Sequence, residues 1–240
     1  MYVLKLYVTF TSMKKIAISS AKGGVGKTTI SYLMAKKLKD TGLNVGLFDG
    51  DLYGPNILNL FDVNPRSFKS FNDKKHLEPL VVDGIQIASV ELILNKQETV
   101  FWRGPMISKV LKSMFQNVSW ADLDYLIIDM PPGTGDPYLT MFNDLDINES
   151  LLICKDDLMS IEDSKKTVQL LNRFNIKILG CIENMSENFK LGQKAINSKT
   201  LNSHFHNIEV IGVIPRLTKK EIKKVYNNAS DLYDYLPDLN

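Results

Sequence analysis

Cysteine is nearly missing from this chain of 240 residues: it has two, Cys154 and Cys181. They are too few and too far apart for a zinc module or a disulfide framework, which points to a reducing compartment, here taken as the cytoplasm. Excess charge is missing too. Lysine plus arginine total 29 against 27 acidic residues, a net charge of +2, which gives no electrostatic reason to expect nucleic acid or an anionic membrane as the main partner. No apolar run approaches the ~20 residues of a spanning helix. Residues 1–12 are apolar apart from Lys5, yet they are short and lead to no small-residue cleavage site. Because Met13 opens the run MKKIAISS, those twelve residues are either an extension from an over-long start or an extra edge strand. With 44% hydrophobic residues, residues 13–240 suit one ordinary domain.

From Lys15 onward, short apolar runs alternate with amphipathic stretches of helical length. Residues 16–19, 45–48, 126–128, 151–154, 178–182 and 210–214 read as buried strands. Continuous apolar runs without alternation are expected where helices cover both faces of a parallel sheet. The expected fold is therefore α/β, a doubly wound, mostly parallel sheet. Residues 186–207 form a polar stretch.

The first of these strands runs into Ala21-Lys22-Gly23-Gly24-Val25-Gly26-Lys27-Thr28-Thr29, followed by a segment of helical apolar spacing. Glycines let backbone N–H groups close around a phosphate, and the helix N-terminus adds a favourable dipole. Lys27 can reach the β- and γ-phosphates, and the Thr28 hydroxyl can ligate magnesium. The combination implies a P-loop that binds ATP with Mg2+, cradled by Gly23, Gly24, Val25, Gly26, Lys27, Thr28 and Thr29.

Acids stand at two further strand ends, where the ligand crevice of such sheets lies. Asp49 and Asp51 follow the second strand; Asp51 is assigned the water-activating role and Asp49 the outer magnesium shell. Asp129 ends the apolar run at 126–128 and would hold a magnesium-bound water beside Thr28. Residues 133–136 then form a switch loop, free to move when the γ-phosphate leaves.

The motifs SSAKGGVGKTT (19–29), DGDLYGPNI (49–57), FWRGPM (101–106), LDYLIIDMPPGTGD (123–136) and GCIENMS (180–186) resemble the Mrp/ApbC family of P-loop ATPases. These are iron–sulfur cluster carriers in the deviant Walker A group that also includes MinD and ParA. The resemblance implies slow ATP hydrolysis by a face-to-face homodimer in which Lys22 reaches the opposite nucleotide. It also implies that Asn184 reads the adenine base and that Pro215 and Arg216 flank it. Apo iron–sulfur proteins or assembly factors would be the partners. No role follows for Arg103 and Gly104, and residues 102–105 are expected to be a packed turn.

The chain departs from the family in one respect. Cluster-carrying members have a Cys-x-x-Cys pair after the ENMS-like motif, and residues 187–205 contain no cysteine. Thiolates are the usual cluster ligands, and Cys154 and Cys181 lie inside expected strands, where burial as small hydrophobes is the natural fate. His204 and His206 stand in the right region as weaker candidate ligands. Two functions remain open: an ATPase of iron–sulfur cluster assembly or transfer, and a MinD/ParA-like switch in which nucleotide controls partner binding. The tail from Lys219 turns acidic after Lys224 and so does not resemble a membrane-targeting helix.

Overall fold

A computed structural model of the chain describes residues 13–52, 54–64, 76–93, 104–196, 199–205 and 207–239. The expectations for residues 1–12, for residues 101–103 of the FWRGPM motif, for Tyr53 and for His206 lie outside the described residues.

Eight strands form one sheet in the order β3-β4-β2-β5-β1-β6-β7-β8. They are β1 (Lys14–Ser19), β2 (Val45–Asp49), β3 (Leu80–Val82), β4 (Ile85–Ala88), β5 (Tyr125–Asp129), β6 (Glu149–Cys154), β7 (Lys177–Ser186) and β8 (Val210–Pro215). Every pairing is parallel except the β3–β4 hairpin at one edge. The six expected strands are present, each longer than its apolar run and β7 twice as long, and the doubly wound α/β reading holds. The hairpin is an addition: β3 has three residues, none of them fully buried, so its burial pattern is too weak to stand out in sequence. The polar stretch 186–207 also holds a short helix, α6 (Lys199–His204).

The helices are α1 (Lys27–Asp40), α2 (Ile57–Leu60), α3 (Gly104–Asn117), α4 (Asp136–Asp144), α5 (Leu158–Arg173), α6 and α7 (Lys219–Asn227). Gly104 and Pro105 open α3, so the part of the expected packed turn that is described is a helix start instead. Proline is well suited there, because the first helical N–H has no partner to lose. Alternate side chains of each central strand point to opposite faces. Ile16 and Ile18 join the core with α1 residues such as Leu33, while Ala17 joins Phe48, Leu111 and Tyr138 on the opposite face. A smaller cluster of Leu152, Cys154, Ile161, Cys181, Leu201 and Phe205 fills the space under α5 and α6.

The strand order reverses at β1, with β5 on one side and β6 on the other. Connections leave the carboxyl ends of these strands in opposite directions, opening the crevice where open α/β sheets bind ligands. The loop from β1 to α1, the ends of β2 and β5, and the turn into α4 all meet there.

Candidate functional site

The phosphate loop leaves β1 through Ser20 and Ala21 and enters α1 at Lys27. Gly26 has φ +94°, in the left-handed region, and a Cβ there would lie 2.2 Å from Asn184 Nδ2. Glycine is thus required on two counts, backbone conformation and space. The Asn184 amide donates to the Val25 carbonyl at 2.7 Å, pinning the end of β7 against the loop. The helix N-terminus has no side-chain cap, so its N–H groups remain available to an anion.

Two acids lie side by side beneath this loop. Asp49 and Asp129 are register partners on β2 and β5, and both are fully buried. Asp129 Oδ1 accepts from Ser31 Oγ at 3.1 Å, and the Thr28 hydroxyl also lies against this carboxylate. Burial pushes the Asp129 carboxyl up to about 6, against the lowering pull of Thr28, the Lys27 ammonium and Ser31. Asp49 is raised well above the ordinary range, first by burial and then by the Asp129 charge, despite hydrogen bonds from Ser89 Oγ at 3.1 Å and the Asp51 N–H at 3.2 Å. Asp129 Oδ2 is buried without a hydrogen bond of normal geometry. Two adjacent buried acids with an unused oxygen form a site short of positive charge.

Asp51 is only half-buried and holds the turn that follows, accepting from the Gly54 N–H at 3.2 Å. Gly50 sits so close to β5 that a Cβ would meet the Asp129 carbonyl at 2.6 Å. Residues 133–136 are partly or fully exposed and lead into α4, with Gly133 at φ +83°. Lys27 is 6% exposed. Lys22 is half-buried on the loop, with its carbonyl tied by Ser20 Oγ at 3.0 Å.

At the end of the crevice expected to face a base, Asn184 is buried and Pro215 closes β8. The Arg216 N–H donates to the Ser186 carbonyl at 2.7 Å, and its guanidinium pairs with Glu187 at the surface. A cleft of about 480 Å³ opens beside them, lined by Lys155, Met185, Glu187 and Arg216 among others. Thus Lys27, Thr28, Asp49 and Asp129 converge, Asn184 touches the loop, and the Lys22 charge is felt by Asp163 of α5.

Ser31 and Ser89, which hold the two acids, were not singled out by sequence. Ser31 lies one helical turn after Lys27 and also donates to its carbonyl at 3.1 Å; a serine in the otherwise apolar face of α1 was the available signal. Ser89 follows β4 and was hidden with that strand. Glu183 was also passed over: it is fully buried beside Asn184, and neither carboxylate oxygen has a hydrogen-bond partner among the described residues.

Cys154 and Cys181 are free and fully buried, as expected of strand cysteines. Burial raises the thiol pKa of both, most strongly for Cys181, so neither is poised as a thiolate ligand. Among the described residues, no group of three or more His, Cys, Asp or Glu side chains could hold a metal ion. His204 ends α6 without such company. No described helix is long and apolar enough to cross a membrane.

A family model described as ParA, NUBPL iron-transfer P-loop NTPase, matches residues 11–224. An iron-sulfur cluster carrier protein of Rickettsia felis is 38% identical over 202 residues, covering 84% of this chain and 61% of the relative. That of Escherichia coli is 36% identical over 171 residues, covering 71% and 46%. The chain thus spans about half the length of the curated relatives it matches. A nucleotide-binding protein of Archaeoglobus fulgidus in complex with ADP matches with a TM-score of 0.68 at 28% identity, covering 94% of this chain and 89% of the other. The septum site-determining protein MinD of Pyrococcus horikoshii, complexed with Mg-ADP, has a TM-score of 0.66 at 20% identity with 93% and 92% covered; that likeness concerns the fold alone.

Proposed function

The chain belongs to the NUBPL iron-transfer P-loop NTPase family, and we propose that it is a slow ATPase acting in iron–sulfur cluster assembly or transfer as a nucleotide-controlled homodimer. The observation that carries this reading is the convergence of Lys27, Thr28 and two buried acids, Asp49 and Asp129, at the carboxyl edge of the sheet.

ATP is the proposed substrate, its phosphates cradled by residues 23–29. Bound magnesium supplies neutralisation and alignment of the phosphate oxygens. Thr28, Asp51 and Asp129 would hold it, partly through water, with Asp49 in the outer shell. These residues fit such an ion: the unused Asp129 oxygen and the two acids strained by burial are relieved by a nearby cation. Lys27 places its ammonium on the β- and γ-phosphate oxygens. Asp51, half-buried at a turn that water can reach, orients the attacking water and takes its proton. Asn184, Pro215 and Arg216 are assigned to the base.

Lys22 is assigned to the opposite nucleotide of a face-to-face dimer. The same sheet edge carries exposed apolar residues at the start of α5, Leu158 at 71% and Met159 at 68% exposed, a surface suited to burial by a second copy. Hydrolysis then loosens residues 133–136 and the turn at Asp51 and resets the dimer. The partners are apo iron–sulfur proteins or assembly factors, with the cluster held by a partner rather than by this chain's thiols.

A second reading, a MinD/ParA-like switch that controls partner binding and carries no cluster, is favoured by the burial of both cysteines. The two readings share one nucleotide cycle, so the cycle is tested first. Light-scattering mass with ATP and magnesium, run beside a phosphate-release assay, should give a dimer and slow phosphate release, with a monomer in ADP. A monomer in both nucleotides, with no phosphate released, would contradict the common mechanism.

A further inference from the structure

Tyr138 lies two residues into α4, immediately after the glycine-rich segment 133–135, and is fully buried. Its ring packs edge-on against Phe142 with centroids 5.1 Å apart, on the sheet face shared with Ala17 of β1. Among the described residues its hydroxyl has no hydrogen bond of normal geometry. A buried phenol oxygen left in that state is an exception that calls for an explanation.

The strand alternation supplies one. Ser19 shares the face of Ala17, two residues further along β1 and two before Ala21 of the phosphate loop. Ser150 of β6 pairs with Ala17. Its Oγ lies 2.8 Å from Ser19 Oγ and 3.0 Å from the Ala17 carbonyl. Both serines are fully buried. The Ser19 hydroxyl is the side-chain hydrogen-bonding neighbour of the Tyr138 oxygen, but too loosely placed to meet ordinary geometry.

The single proton of Ser150 is shared between the Ala17 carbonyl and Ser19 Oγ. Ser19 therefore keeps its own proton, which is free to go to the Tyr138 oxygen. Every contact but the last meets ordinary hydrogen-bond geometry. A small movement of α4 toward β1 closes the chain, and α4 hangs from the exposed turn at residues 133–135, beside the phosphate site.

We propose that Tyr138 is a positioning residue, a latch whose hydroxyl bonds Ser19 when a triphosphate draws residues 133–136 inward, tying α4 to the strand that carries the phosphate loop. The proposal rests on the nucleotide cycle above but not on hydrolysis itself. The latch is open in the resting protein, so removing the hydroxyl leaves the resting state intact and weakens only the triphosphate-bound state. Removing a buried hydroxyl that makes no hydrogen bond costs the resting fold nothing.

The test uses the full chain with Tyr138→Phe, Ser19→Ala and the double variant. Calorimetry measures affinity for ADP and for a non-hydrolysable ATP analogue, and scanning measures the thermal midpoint without nucleotide. For Tyr138→Phe, analogue affinity should fall about three- to tenfold, the worth of one hydrogen bond, with ADP affinity within about twofold. Its nucleotide-free midpoint should equal or exceed that of the natural chain. The double variant should lose no more analogue affinity than the worse single variant. Equal losses for ADP and analogue, a lowered nucleotide-free midpoint, or additive losses in the double variant would each overturn the latch. A natural chain that binds the analogue but releases no phosphate from ATP would sink the ATPase reading alone, and the binding comparison would still decide the latch.

Discussion

At the phosphate loop, Lys27, Ser31, Asp49 and Asp129 are buried together, with Thr28 against the Asp129 carboxylate, and this is the site proposed above for a triphosphate and a cation. Past Asn184, residues 187–205 have no cysteine, and both thiols of the chain lie buried in strands instead. The first region is built from side chains that are costly to bury and are tolerated only where a ligand relieves them. The second consists mainly of short turns and one six-residue helix among its described residues. The contrast separates two properties that the family resemblance joins: the nucleotide cycle proposed above, for which the phosphate loop supplies groups, and thiolate cluster binding, for which residues 187–205 supply no cysteine.

The sharpest way to break the comparison is at Lys27. Lys27→Ala should reduce kcat/KM for ATP on the order of 1,000-fold, because a preorganised charge on the transferring phosphoryl group is lost; steady-state phosphate release measures it. Lys22→Ala should lower kcat on the order of 100-fold while nucleotide affinity stays within about threefold, the pattern of a group that acts in the transition state from across the dimer. Normal hydrolysis by that variant would show that Lys22 is merely a loop lysine.

A smaller effect separates the regions by pH. The Asp129 carboxyl is raised to about 6 in the folded chain from 3.8. The folded protein therefore binds a proton there before the unfolded chain does. The resulting stability is fully present below the unfolded value and is lost as pH rises through about 6. Metal-free, nucleotide-free protein should gain about 1 kcal/mol between pH 7 and pH 5, read by denaturant unfolding, and Asp129→Asn should flatten that rise. A profile as steep in Asp129→Asn as in the natural chain would place the titration elsewhere. Smallest of all, Cys154→Ala and Cys181→Ala should each cost about 1 kcal/mol of stability with no change in phosphate release; loss of hydrolysis in either would make the thiols part of the engine.

Much of this was legible in the residues because it is local. A glycine loop between a strand and a helix, and an acid at each strand end, are short-range patterns, and Lys27, Thr28, Asp49, Asp51 and Asp129 could be read directly from them. What escaped depends on tertiary contact. The β3–β4 hairpin is short and half-covered, so its apolar pattern is faint. Ser89, which props Asp49 from that hairpin's end, was invisible with it. Ser31, Ser150 and Tyr138 are polar groups in apolar elements, and their purpose is visible only when the opposing strand or helix is in place. The described part of the expected turn at residues 102–105, Gly104 and Pro105, is the start of α3.

The measurement that bears most directly on the separation of engine from cargo site is anaerobic reconstitution with iron and sulfide, followed by iron content per dimer, with nucleotide binding assayed on the same sample. The account predicts intact ATP binding with no stable visible absorption band and iron well below stoichiometric. A stable band with stoichiometric iron that disappears in Cys154→Ala or Cys181→Ala would contradict it and make the buried thiols cluster ligands.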